Sequence, residues 1–439
     1  PLIYDTGTGW QIQCQYLHQQ ADAVAHCAYI HNMHHDPTHR RFPFHSMLEE
    51  PPKICYDLPW LEHNRIDGKP FFCYETQVTN LTKYRAEFPM AIASLASIQD
   101  WDIVCWHSYG PGPDSSQLQA PNTRAIEAGH SLNLHYGADE VQLSAMRAAA
   151  AVFCGFHLPP APHPTRFIFG RRMLLDPASM SYRGSYGEIG RSMLPTTYRY
   201  GVRLLIEPEL ETNPDHPIFH DANGNPDPDR YAQFLRQGYL VDGPVVNPNA
   251  FIPNPIRPHD AITYDWKYGY LRFDTPGVSQ FAGFAAEIPS HRQEEIFTFC
   301  QSGLRLSNLK IVNPPDMPYP VRDDEQYLVF CLASTDGAPF ATCQRAVLSL
   351  VSTSFNSGFE LDLQSPITEF EGAQCRQPGS LPVKVARVAA TIECPHLAGM
   401  TLRFFDFEFN LLEEKTIAHN GRFTIPASLP IFIAELLRQ

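Results

Sequence analysis

Glu75 closes an apolar run in the stretch Lys69-Pro-Phe-Phe-Cys-Tyr-Glu-Thr-Gln77. A carboxylate at the C-terminal end of a strand is where parallel barrels hold their chemistry. There it can attack an electrophilic carbon and form a covalent intermediate. Further on, Gln99-Asp-Trp-Asp-Ile-Val-Cys-Trp-His-Ser-Tyr-Gly110 sets Trp106, His107 and Tyr109 at the end of the next strand. A flat indole covers the apolar face of a ring with few rotors to freeze. His107 and Tyr74 can hydrogen-bond to substrate hydroxyls or to Glu75. Tyr29 and His31, at the end of the preceding strand, complete the expected binding set. The competing structural roles are a helix cap or an Arg85 ion pair for Glu75, and core packing for Trp106. Glu87 is expected to anchor a loop or pair with a cation, and Asp102 to be structural.

Four histidines, His31, His34, His35 and His39, fall close together. His35 and His39 have the spacing of one helical face, which suits a metal. Asp36-Pro37 opposes a helix there, so these side chains are expected to meet substrate or solvent, and no metal or other cofactor is expected. Arg171, Arg172 and Arg183 with Tyr182 and Tyr186 form a basic and aromatic stretch that suits a surface hairpin or an anionic sugar. Asn80-Leu81-Thr82 is a glycosylation sequon, meaningful only in a secretory setting.

The elements that must position these residues follow from periodicity. Over 1–158, strand and helix signals alternate. Strands are expected over 1–4, 23–29, 71–74 and 103–106, and helices over 16–20, 59–66, 83–99 and 144–156. Repeated strand–helix units imply parallel strands with crossover helices. Residues 159–255 read as a β-rich insertion or linker, with strands over 166–175 and 198–206 and a turn-rich tract over 216–228. From 256 to 439 the pattern is all β: 270–273, 327–333, 346–351, 383–392, 402–409 and 422–425, separated by turns as in a β-sandwich.

Composition narrows the function classes. Of 439 residues only 18% are charged, and 40 are proline, which favours β structure with long ordered loops over helical bundles. The formal net charge is −14 and basic residues are scattered, so a nucleic-acid partner is not expected. A neutral glycan would not be repelled. The eleven cysteines include no Cys-x-x-Cys pair and read mainly as buried thiols. No apolar run approaches the roughly 20 residues that cross a bilayer. The opening Pro1-Leu-Ile-Tyr-Asp-Thr-Gly-Thr-Gly has no leader character and reads as the continuation of an element begun earlier.

The order Tyr29, Glu75, Tyr84-Arg85-Ala86-Glu87, Gln99-Asp100-Trp101-Asp102 and Trp106 resembles the second half of a clan A glycoside hydrolase barrel. The resemblance covers the first 160 or so residues and, more loosely, the rest through Asp265-Trp266 and Phe273-Asp274-Thr275-Pro276. It implies strands 5–8 of a (β/α)8 TIM barrel followed by a β-rich segment and a C-terminal β-sandwich. It makes Glu75 the nucleophile of a retaining enzyme acting on a β-linked glycan, and Trp106 the wall of a sugar subsite. Two departures stand out. The run Ala25-His26-Cys27-Ala28-Tyr29 keeps the family's Tyr but has Ala at its Asp and displaces its His. The acid/base Glu of the clan follows an Asn, and no Asn-Glu occurs in this sequence. The acid/base is therefore expected from sequence outside this chain, in the first barrel half, present as a separate segment or chain. The isolated chain is expected to be nearly inactive. An exported location is expected, because polymeric glycans lie mostly outside cells. The alternatives are a catalytically inactive glycan-binding or structural protein and a metal-dependent enzyme using the histidine cluster.

Overall fold

The computed structural model describes residues 3–5, 12–30, 41–43, 46–49, 61, 64–78, 83–107, 139–162, 164–175, 194–209, 254–367, 372–377 and 379–439. The chain is a mixed helix and sheet protein, largely β, with mostly antiparallel sheets.

Its first sheet is parallel. Strands β1 (Ile3–Asp5), β2 (Ala23–Ile30), β4 (Phe71–Val78) and β5 (Ile103–Trp106) lie side by side in chain order. Helix α1 (Ile12–His18) separates the first two. Helix α2 (Phe88–Ile98) separates the last two, after a 3-10 turn at Arg85–Glu87. Every residue of α2 is buried, as its near-continuous apolar sequence requires, and a proline in its first turn suits the start of a helix. Helix α3 (Glu140–Cys154) follows β5 in the chain, and the Asp139 side chain caps it by accepting from the Gln142 amide at 3.2 Å.

Several boundaries differ from expectation, each for a local reason. β4 runs to Val78, because Glu75 interrupts the apolar pattern without ending the ladder. The strand expected over 166–175 divides into β6 (Thr165–Gly170) and α4 (Arg171–Leu175), where Arg-Arg-Met-Leu-Leu favours helix. The strand expected over 198–206 is preceded by α5 (Leu194–Tyr200), which stops at Gly201 before β7 (Val202–Glu207). Gly201 has φ +67, a left-handed helix end that favours glycine. β6 and β7 pair in parallel, and Ile66 bridges to Leu204 in the same sense. Of the helix expected over 59–66, residues 64–66 form no helix and the remainder lies largely outside the described residues.

The C-terminal half is built around an eight-stranded sheet. It holds β8 (Ile262–Asp265), β9 (Tyr270–Thr275), β10 (Val278–Phe284), β13 (Tyr327–Ser334), β14 (Arg345–Val351), β20 (Thr401–Phe405), β21 (Leu411–Thr416) and β23 (Ile433–Leu437). A four-stranded sheet holds β11 (Thr298–Phe299), β12 (Leu304–Val312), β19 (Arg387–Glu393) and β22 (Arg422–Ile425). Both sheets contribute to one apolar cluster. The eight-stranded sheet is covered on its other face too. Along β13, Tyr327, Val329, Cys331 and Ala333 join the cluster that includes α2 and α3, whereas Leu328, Phe330 and Leu332 join the four-stranded sheet. This is strand alternation with both faces buried, and it explains why β13 reads as a continuous apolar run.

The expected strand over 383–392 splits at Ala386. Its first part, β18 (Ser380–Val385), pairs with β15 (Ser354–Ser357), and its second is β19. The Ala386 amide donates to Thr353 at the switch. The strand expected over 402–409 ends at Phe405, because the Asp406 carboxylate accepts from the Glu408 and Asn410 amides and closes a turn. Strand β3 (Arg41–Pro43) joins the hairpin of β16 (Glu360–Ile367) and β17 (Gly372–Gln377).

Candidate functional site

The sequence of β4 places a carboxylate where the ladder is irregular. On the β2 side, His26 pairs with Cys73 and Cys27 with Glu75, so Tyr74 has no counterpart. On the β5 side, Cys73 pairs with Val104 and Thr76 with Trp106, so Tyr74 and Glu75 together face the single residue Cys105. That is a β-bulge, which re-aims a side chain and is common beside active sites.

Glu75 is half-buried, and its Oε1 lies 3.7 Å from Nε2 of His107, also half-buried. The distance is an ion-pair separation rather than a direct hydrogen bond. The His107 amide donates to the Thr76 carbonyl at 3.1 Å, which extends the pairing of β4 and β5 and holds the imidazole at this level. Beside them the Tyr74 hydroxyl donates to Cys27 Sγ at 3.2 Å. The Cys73 thiol contacts the Glu75 carbonyl at 3.7 Å, and burial holds that thiol well above its ordinary pKa, so it stays a neutral donor.

The structure thus brings Glu75 and His107 together, whereas the Tyr74 hydroxyl meets Cys27. Trp106 is half-buried and meets Phe88 of α2 edge-on, with ring centroids 5.4 Å apart at 77°. Part of its indole is committed to the helix side of the sheet, where Val104 packs as well. Tyr29 lies in β2 opposite Gln77. Tyr109, His31 and the other histidines of the 31–39 cluster lie outside the described residues, as do the sequon, Arg183, Tyr182 and Tyr186. Among the described residues no three His, Cys, Asp or Glu side chains are grouped to hold a metal ion.

The neighbouring charges have structural roles. Asp102 Oδ2 accepts from the Phe71 amide at 2.9 Å. Glu87 anchors residues 46–47 by accepting from Ser46 Oγ at 2.8 Å and from the Met47 amide at 2.6 Å. Arg85 is paired with Asp139 at 2.5 Å and donates to Ser354 Oγ at 2.5 Å. His26 is fully buried, and burial, aided by His18, pushes its pKa down to about 3, so its imidazole is neutral.

Sequence reasoning missed the buried contacts that fix this region to the C-terminal sheets. They are Lys83 with Glu325 at 2.7 Å, the Tyr327 hydroxyl on the Tyr84 carbonyl at 2.6 Å, and the Arg85–Asp139–Ser354 group. The one available signal was Asp139 three residues before Gln142, a helix-capping spacing. The long-range partners have no local signature. No protein-family model matches the chain, and no curated protein or solved structure is significantly similar to it.

Proposed function

We propose that the chain is part of a retaining glycoside hydrolase acting on a β-linked glycan, with Glu75 as nucleophile. The observation that carries this reading is the bulge that turns Glu75 out of β4 beside His107 on the adjacent parallel strand. It gains support from the four parallel strands in chain order, the order expected of strands 5–8 of a TIM barrel. The two antiparallel sheets sharing one apolar cluster suit the β-sandwich that the resemblance implies.

In this mechanism a Glu75 carboxylate oxygen forms a bond to the anomeric carbon as the glycosidic carbon–oxygen bond breaks. The leaving oxygen takes a proton from the acid/base. Water, deprotonated by the same group, then releases the sugar from Glu75 with net retention. The two carboxyl groups must lie about 5–5.5 Å apart. No Asn-Glu occurs in the chain, so the acid/base belongs to a first barrel half outside this sequence. His107 is a positioning residue for Glu75.

An activated glycoside separates nucleophile from acid. A dinitrophenyl 2-deoxy-2-fluoro-β-glycoside has a leaving group that needs no proton, and its fluorine slows release of the sugar. With gluco, galacto, manno and xylo versions, we expect one covalent adduct by intact mass, mapped by peptide sequencing to Glu75 and lost in Glu75→Gln. An adduct on another residue, or none with any of the four, would reject Glu75 as nucleophile. The absence of an Asn-Glu pair also favours a second reading, a glycan-binding protein without catalysis. Saturable binding of the same sugars that Glu75→Gln weakens, without any adduct, would establish it.

A further inference from the structure

A cavity of about 260 Å³ opens in the C-terminal half, between α6 (Ser290–Ile296), β12 and the residue preceding β13. It lies among elements of the antiparallel sheets, apart from Glu75. Its lining is rich in groups that can both donate and accept: Gln293, Ser307, Asn308 and Gln326. Gln293 Nε2 donates to the Ala285 and Ile288 carbonyls, at 3.3 and 3.0 Å, which leaves its Oε1 as an acceptor. Asn308 Nδ2 donates to Thr391 Oγ1 at 3.2 Å, which fixes the amide and leaves Oδ1. The Gln326 carboxamide and the Ser307 hydroxyl make no hydrogen bond among the described residues, and neither is an exposed residue. The apolar part of the wall comes from Ala285, Phe297, Leu306 and Leu309, the first three anchored in the core.

The backbone at this cavity is unusual. β12 carries an irregularity between Ser307 and Lys310, and Asn308 within it has φ +52. Across the cavity Gln326 has φ +42. Left-handed backbone is costly for non-glycine residues, and such residues gather where a ligand is held. Glycine at either place would be easier on the backbone, but it would remove the amide.

The lining also limits the ligand. Its one cation, Arg305, is paired with its one carboxylate, Glu294, at 3.1 Å, so no surplus charge selects a phosphate or a metal ion. The polar groups rule against a lipid. The volume lies below the roughly 300–1,000 Å³ of drug-sized sites, which leaves room for a single small ring. We propose that this cavity is a second binding site that takes one neutral sugar residue through its amides and hydroxyl. The inference rests on its own lining and does not depend on Glu75.

The test uses the whole chain and glucose, galactose, mannose, xylose and N-acetylglucosamine as probes, titrated by saturation-transfer NMR and calorimetry. We expect at least one to saturate with a Kd on the order of 1 mM. Gln326→Gly and Asn308→Gly each relieve the backbone and delete a carboxamide, so both should keep or raise the melting temperature while weakening that sugar about tenfold. Glu75→Gln should leave this binding unchanged, which keeps the two sites distinguishable. The proposal is overturned if none of the five sugars saturates. It is equally overturned if binding survives both glycine variants or disappears in Glu75→Gln.

Discussion

Gln280 lies at the middle of β10, fully buried, with neither amide atom hydrogen-bonded among the described residues. Val278 and Ala282 flank it on the same strand face and join the cluster shared with α2 and α3. An unsatisfied buried amide costs about 1–3 kcal/mol, and replacing it by an apolar group of similar shape removes that cost. Gln280→Met should therefore raise the urea midpoint, by about 1–3 kcal/mol in unfolding free energy. A lowered midpoint would show that the carboxamide is satisfied in the folded protein. At this scale the sequence was partly legible. Glu75 and His107 approach each other, but Glu75 lies within β4 rather than at its end, because a single carboxylate does not stop a strand whose ladder continues to Val78. Trp106 packs toward the helix side of the sheet, because alternation along a short strand puts Val104 and Trp106 on one side, where Phe88 lies. Nothing in the local pattern of β4 foretells its bulge, which depends on register with two neighbours at once.

The 3-10 turn, the N-terminus of α3 and β15 meet around a buried group of charges. Arg85 comes from the turn, Asp139 and Glu140 from the helix, and Ser354 from the strand. One guanidinium serves two carboxyl groups. Burial and then the Asp139 charge push the Glu140 pKa up to about 7, against the pull of Arg85 and Ser354. Burial likewise holds Glu87 well above its ordinary range, against its Ser46 and Met47 donors. A carboxyl with a raised folded pKa binds its proton more tightly folded than unfolded. The stability it contributes is complete below its unfolded value of 4.5 and lost as pH rises through the folded value of about 7. His26 and His157 are pushed down by burial, and they cost stability only as pH falls below their ordinary 6.5. The interval just above pH 6.5 therefore reports the carboxyls, before the buried thiols Cys73 and Cys331, raised above their ordinary 9.0, begin to contribute. The melting temperature should fall between about pH 6.5 and pH 7.5, the last part of the Glu140 loss, and Glu140→Gln should flatten the fall and exceed the wild type at pH 7.5. A wild-type profile that is level or rises over that range would contradict this assignment. Elements with one dominant signal were legible: β5 and β22 occupy the expected residues. Those at a change of direction were not. β6 gives way to α4, and Gly201 separates α5 from β7, because a run of good helix formers or one left-handed glycine outweighs the apolar content of its flanks.

At the scale of the whole molecule, the eight-stranded sheet is the common wall of two cores. One core is shared with the four-stranded sheet, and the other includes α2, α3, β2 and β4. Parallel pairing continues past residue 158 in β6 and β7, and the two cores meet across one sheet, a continuity that no division of the sequence conveys. Helix α3 is the connecting element. Its alanine-rich face, with Ala145, Ala148 and Ala149 buried, belongs to the core that β13 and β14 share, while Ser144 Oγ reaches Ser349 Oγ at 2.7 Å and the Phe432 carbonyl at 2.6 Å. Small side chains there permit close approach of helix to sheet, and a tightly packed contact does not absorb extra methylenes. Ala148→Leu should lower the unfolding free energy by about 1–3 kcal/mol. Ala150→Leu, on the exposed side of the same helix, should change it by less than about 0.5 kcal/mol. Because the helix and the sheet share one core, near-ultraviolet circular dichroism and tryptophan fluorescence should report the same midpoint in both variants. Trp101 and Trp106 lie in the parallel part and Trp266 in the antiparallel part, so fluorescence samples both. Equal effects of the two substitutions, or separate midpoints for the two probes, would mean that α3 rests on the sheet without joining the two cores into one cooperative unit.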